Sequence, residues 1–145
     1  MDNPELIQQL KSEFKTGIEQ AHIRKENRVQ VQVKPEILPE VASWLFLDEG
    51  FRFIIASASD LGGKFEIVYH FSYDKTGLVL NVVVFLPHEK PEIKSLAPMI
   101  TAANWIEREI HELFGIRFLG HPNLAPLFSD GNWEADAFPY AKKTQ

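Results

Sequence analysis

The sequence has no cysteine among its 145 residues. A chain without thiols forms no disulfide, supplies no thiolate to zinc or to an iron–sulfur cluster, and has no cysteine nucleophile. Any redox cofactor that works with this chain is therefore expected to sit in another protein. We expect the chain itself to bind no cofactor and no metal.

The sequence also lacks an excess of positive charge. Lys and Arg total 15 against 20 Asp and Glu, which gives a net charge of −5. Proteins that bind nucleic acid present a basic surface that neutralises phosphates. Nucleic acid is therefore not an expected partner.

Long apolar runs are missing as well. Residues 44–47 and 82–86 are wholly apolar, but they fall far short of the roughly 20 residues that cross a bilayer. Residues 1–5 are polar and acidic, unlike the basic and then apolar start of a secretory signal. These features predict a cytoplasmic protein whose contact with a membrane is made through its partners.

Apolar residues are nevertheless plentiful, at 45% of the chain with 11 Phe. That content suffices for one core, so we expect residues 1–145 to form a single domain. Capping residues, proline positions and the 3.6-residue period predict three helices. They cover residues 4–18 with Asn3 as the N-cap, a segment that opens at Pro39 and ends before Gly50, and residues 101–114 followed by Gly115.

Four segments have the composition and alternation of β-strands, namely residues 28–34, 51–58, 65–73 and 78–86. The last three are joined by short connections, which favour antiparallel neighbours because a parallel crossover needs about a dozen residues. The pattern predicts an α+β fold with a mostly antiparallel four-stranded sheet and helices packed on one face. The Pro-, Gly- and aromatic-rich residues from about 120 to 145 are expected to form an extended C-terminal tail.

The last predicted helix carries the densest polar cluster, residues 107–112. At about 100° per residue, its apolar residues fall on one arc, with Glu107 and Glu109 at opposite edges and Arg108 pointing away. Such a pattern is typical of an amphipathic helix with solvated charges. The apolar arc comprises Ala102, Ala103, Ile106, Ile110, Leu113 and Phe114.

The histidines near this helix suggest little chemistry. His111 and Glu112 begin like a zinc-protease motif, but Gly115 stands where the second histidine is required. Glu107 and His111 are spaced as an ordinary surface pair. His121, held between Gly and Pro, is expected to bond a backbone carbonyl or a carboxylate and so fix a turn. A metal-dependent hydrolase that uses Glu107, His111 and His121 is the alternative function, and a homo-oligomeric scaffold is a third.

Residues 103–124 resemble the signature of the 30-kDa subunit family of respiratory complex I, the NADH-quinone oxidoreductase, which reads E-R-E-x-x-D-x-F-G-I-x-F-x-G-H-P-x-L. That family includes the homologous subunits of membrane-bound, energy-converting nickel–iron hydrogenases and formate hydrogenlyases. The matching positions are Glu107, Arg108, Glu109, Phe114, Gly115, Ile116, Phe118, Gly120, His121, Pro122 and Leu124.

The resemblance implies a hydrophilic, cofactor-free docking subunit of a membrane-associated redox complex. Its expected partners are the large subunit, of complex I or nickel–iron hydrogenase type, and a neighbouring iron–sulfur subunit. Its expected place is the inner face of the cell membrane. The docking residues carried over are Glu107, Arg108, Glu109, Glu112, Phe114, Gly115, Phe118, His121, Pro122 and Leu124.

Two departures from the family pattern bear on docking. Glu112 replaces the usual Asp, which keeps the carboxylate on a longer arm. Residues 133–139 lack the family's Arg–Lys pair, so a carboxylate on a partner would lose its counter-charge there. Candidate aromatic anchors, any of which could instead belong to the core, are Trp105, Phe118, Phe128 and Trp133.

Overall fold

The computed structural model describes residues 1–124, which form an α+β fold. The prediction of one domain over residues 1–145 stays a prediction, and the predicted tail, Phe128 and Trp133 included, lies almost wholly outside the described residues. The main elements are α1 (Asn3–Phe14), β1 (Ile18–Lys25), β2 (Arg28–Val33), α2 (Leu38–Ser43, continued by a wider turn at Trp44–Asp48), β3 (Arg52–Asp60), β4 (Lys64–Tyr73), β5 (Leu78–Pro87), β6 (Glu92–Lys94), α3 (Ala103–Phe114) and β7 (Arg117–Leu119).

The principal sheet has five strands in the order β1-β2-β5-β4-β3. The predicted meander of β3, β4 and β5 is confirmed, and every pair in the sheet is antiparallel except β2 with β5. The predicted fold class is therefore confirmed. The sheet has one strand more than the four predicted.

The extra strand, β1, lies where the sequence predicted the end of the first helix. α1 stops at Phe14, because Lys15 takes a positive φ of 49° and a tight turn follows, so Ile18 belongs to a strand rather than to the helix. β1 is largely exposed, and so it has no apolar alternation that would have revealed it. The N-cap is also one residue earlier than predicted, since the side chain of Asp2 accepts a hydrogen bond from the backbone of Glu5 at 2.9 Å.

The core lies on one face of the five-stranded sheet. Along β4 and β5, alternate residues such as Phe71 opposite Leu80 and Ile67 opposite Val84 are buried. The apolar residues of the three helices pack into the same cluster. Helices therefore cover one face, as predicted, and none of the helices in residues 1–124 packs on the opposite face.

A second, smaller sheet was not predicted. β6 and β7 form a parallel two-stranded sheet that ties the segment before α3 to the segment after it. The backbone amide of Ser95 donates to the carbonyl of Leu119 at 2.8 Å, and that of Arg117 donates to the carbonyl of Pro91 at 2.9 Å. Strands of three residues are too short to give a pattern in the sequence.

Candidate docking site

Glu107 lies on the inward side of α3 and is 0% exposed. Its carboxylate accepts a hydrogen bond from the Ser95 hydroxyl at 2.5 Å and one from the backbone amide of Leu96 at 2.8 Å. The Ser95 oxygen in turn accepts from the backbone amide of Ala97 at 3.0 Å, so its own proton is available to Glu107. The carboxylate therefore holds α3 to the turn that follows β6.

His121 closes the same cluster from the other side. Its Nδ1 accepts from the backbone amide of Asn123 at 2.8 Å, so Nε2 carries the proton and donates to the carbonyl of Asn104 at 3.0 Å. Nε2 also lies 3.9 Å from Glu107 Oε1. The prediction that His121 bonds a backbone carbonyl and fixes a turn is confirmed. We call Ser95, Leu96, Asn104, Glu107 and His121 the clamp.

Burial sets the electrostatics of the clamp. It raises the pKa of Glu107, and the hydrogen bonds from Ser95 and Leu96, with the nearby His121, offset only part of that increase. Tyr69 lies fully buried on β4, and burial together with the negative charge of Glu107 raises its pKa well above 10. Its hydroxyl has no hydrogen-bond partner among the described residues.

Two predictions for this part of α3 are wrong, namely that its charged side chains face solvent and that Glu107 and His111 form a surface pair. Glu107 and Glu112 are buried, and His111 donates from Nδ1 to the carbonyl of Ile116 at 2.8 Å rather than to Glu107. The buried side of α3 predicted from the sequence did not include Glu107, because a carboxylate is expected to face water.

The geometry also disfavours the hydrolase that would use Glu107, His111 and His121. Two of the three side chains are enclosed in the clamp, whereas the third is engaged with the end of its own helix. Residues 1–124 contain no group of three or more His, Asp or Glu side chains placed to hold a metal ion. Each of these side chains instead bonds a backbone group of another turn or segment.

The outward side of α3 presents a different set of groups. Trp105 is 60% exposed, and the guanidinium of Arg108 lies 5.7 Å from the centre of its ring. Leu119 on β7, beyond the end of α3, is 41% exposed. Trp105 thus has the exposure expected of an aromatic anchor, whereas Phe118 is a core residue.

The remaining residues of the predicted docking set divide by exposure. Phe114 is half-buried and packs edge-on against Phe65, with ring centres 6.2 Å apart, and Gly115 ends α3 with a φ of +78°. Pro122 is exposed, whereas Arg108, Glu109, Gly115 and Leu124 are half-buried. Sequence reasoning missed Ser95, Leu96 and Asn104, because two of these contribute only backbone atoms and Ser95 lies twelve residues from its partner.

Within the described part of the chain, no helix is both long and apolar enough to pass through a membrane.

The comparisons with known proteins agree with one another. Residues 31–145 match the family described as "Respiratory-chain NADH dehydrogenase, 30 Kd subunit". The chain is 36% identical over 131 residues to a subunit of the F(420)H(2) dehydrogenase of Methanosarcina mazei, covering 88% of this chain and 82% of the relative. It is 32% identical over 114 residues to a subunit of the NADH-quinone oxidoreductase of Chelativorans sp., covering 74% of this chain and 56% of the relative.

A third relative is much longer than this chain. Formate hydrogenlyase subunit 5 of Escherichia coli is 30% identical over 121 residues, which cover 81% of this chain but only 21% of the relative. This chain thus spans about a fifth of that protein and about half of the Chelativorans protein.

Two solved structures share the fold. A trypsin-resistant fragment of Nqo5 superposes with a TM-score of 0.70 at 23% identity, covering 83% of this chain and 98% of that chain. A chain of the membrane-bound sulfane sulfur reductase, an archaeal respiratory membrane complex, superposes with a TM-score of 0.75 at 21% identity, covering 98% and 85%.

Proposed function

This chain belongs to the family of the respiratory-chain NADH dehydrogenase 30-kDa subunit, and we propose that it docks onto the large catalytic subunit of a membrane-associated redox complex. The observation that carries this proposal is the clamp. It buries Glu107 and His121, two residues of the signature, as supports of α3, and it leaves Trp105 and Arg108 on the outward side of that helix.

The two groups of residues have different tasks in this proposal. The buried ones fix α3 relative to β6 and β7, so that the outward side chains keep one arrangement before a partner arrives. Preorganisation of this kind lowers the entropy lost on binding. Trp105, stacked against Arg108 and exposed, is the type of residue that carries much of the binding energy at protein interfaces. Glu107 supports the docking surface and does not touch the partner.

The length of the formate hydrogenlyase relative supports a large subunit as the partner. In that relative the matched region is one part of a single, much longer polypeptide. A domain that is covalently joined to a larger subunit in one protein is expected to pack against the corresponding subunit where the two are separate. We propose a large subunit of complex I or nickel–iron hydrogenase type, with a neighbouring iron–sulfur subunit, on the inner face of the cell membrane.

The test is co-purification of the chain with the complex through an affinity tag on the large subunit. Trp105→Ala is expected to weaken retention about thirtyfold, the equivalent of a loss of about 2 kcal/mol at an aromatic hot spot. Arg108→Ala is expected to act in the same direction, because it removes the group that orients the indole ring.

Leu47→Ala is the matched control. Leu47 is a large apolar residue with 62% exposure that lies outside α3, so its truncation should leave retention unchanged. Circular dichroism and urea unfolding establish that each variant is folded. Full retention of a folded Trp105→Ala chain would contradict the proposed docking surface.

A further inference from the structure

We draw no further inference here: the strongest candidate, the groove between α1 and the wider turn after α2 that is lined by Gln9, Glu13, Trp44 and Glu49, rests on two carboxylates alone, and nothing in the structure shows what covers it.

Discussion

The Ser95 hydroxyl donates to the Glu107 carboxylate across 2.5 Å, although the two residues lie on different segments. This contact fixes α3 against the turn after β6, and it removes from solvent a carboxylate that the helical pattern had placed at a boundary. Its strength comes from surroundings that exclude water, where a buried acceptor depends on its protein donors.

Loss of the Glu107 side chain should destabilise the fold. Glu107→Ala leaves the buried amide of Leu96 without its acceptor, and we expect a loss of about 2–3 kcal/mol in the free energy of unfolding. Glu107→Gln keeps one acceptor oxygen, so we expect a smaller loss of about 1 kcal/mol. Urea denaturation measures both.

Glu109→Ala, on the same helix but not in the clamp, is the control and should stay within about 0.5 kcal/mol of the wild type. Equal effects of Glu107→Ala and Glu109→Ala would show that the clamp contributes nothing to stability.

The Glu107 carboxyl should also make stability depend on pH. Burial raises its pKa in the folded state above the ordinary value of 4.5, so the folded protein binds this proton more tightly than the unfolded chain. The contribution of the group is therefore fully favourable below pH 4.5, and it is lost as the pH rises through the folded-state pKa.

Glu107→Gln cannot titrate, and it isolates this effect from all other carboxyls. The stability of the wild type relative to Glu107→Gln should rise as the pH falls from neutral to 4.5, by about 1.4 kcal/mol for each unit of pKa difference. Urea unfolding curves of both proteins across this range supply the numbers. If the difference in the free energy of unfolding between the wild type and Glu107→Gln is the same at every pH, the pKa of Glu107 does not change on folding.

The end of α3 depends on the backbone of Gly115. Its φ of +78° lies in the left-handed region, where a Cβ atom costs about 1–2 kcal/mol. Gly115→Ala should therefore lower stability by about that amount, and Gly115→Asn by less because asparagine tolerates this conformation. Thermal unfolding followed by circular dichroism is the measurement.

Gly63→Ala is the matched control for this substitution. Gly63 has no positive φ, and a Cβ there meets no atom within 4 Å. A loss at Gly63→Ala as large as that at Gly115→Ala would exclude backbone conformation as the cause.

Removal of the Tyr69 hydroxyl should stabilise the protein. The group is buried without a hydrogen-bond partner among the described residues, so Tyr69→Phe relieves an unsatisfied polar group and is expected to gain about 1 kcal/mol. Tyr73→Phe, at a half-buried position on the same strand, should change stability by less than about 0.5 kcal/mol. A clear loss of stability in Tyr69→Phe would reveal that the hydroxyl has a partner.

Local patterns in the sequence predicted most of the fold. Alternation found β2, β4 and β5, because each buries one side of a strand. The glycine boundaries after α2 and α3 also hold, since Gly50 and Gly115 both have a positive φ. The proline boundary is one residue off, because α2 begins at Leu38 and not at Pro39. β1 was not predicted, because an exposed edge strand has no apolar alternation. β6 and β7 were not predicted, because their pairing joins residues 25 positions apart in the sequence.

The family was also predictable, because the signature in residues 103–124 is matched by sequence alone and is now confirmed over residues 31–145. The roles of the individual signature residues could not be predicted from the sequence. A pattern of polar and apolar letters does not reveal whether a carboxylate faces water or a buried hydroxyl twelve residues away.

The sequence by itself therefore determined the strands and helices with regular burial, the family, and the absence of thiol chemistry. Only the tertiary structure decided that Glu107 and His121 are buried and hold α3 to the neighbouring segments, and that Trp105 is exposed on the outward side of the same helix. The physical reason is that periodicity records which side of an element is buried, whereas the partners of a buried polar group come from distant segments that meet only when the chain has folded.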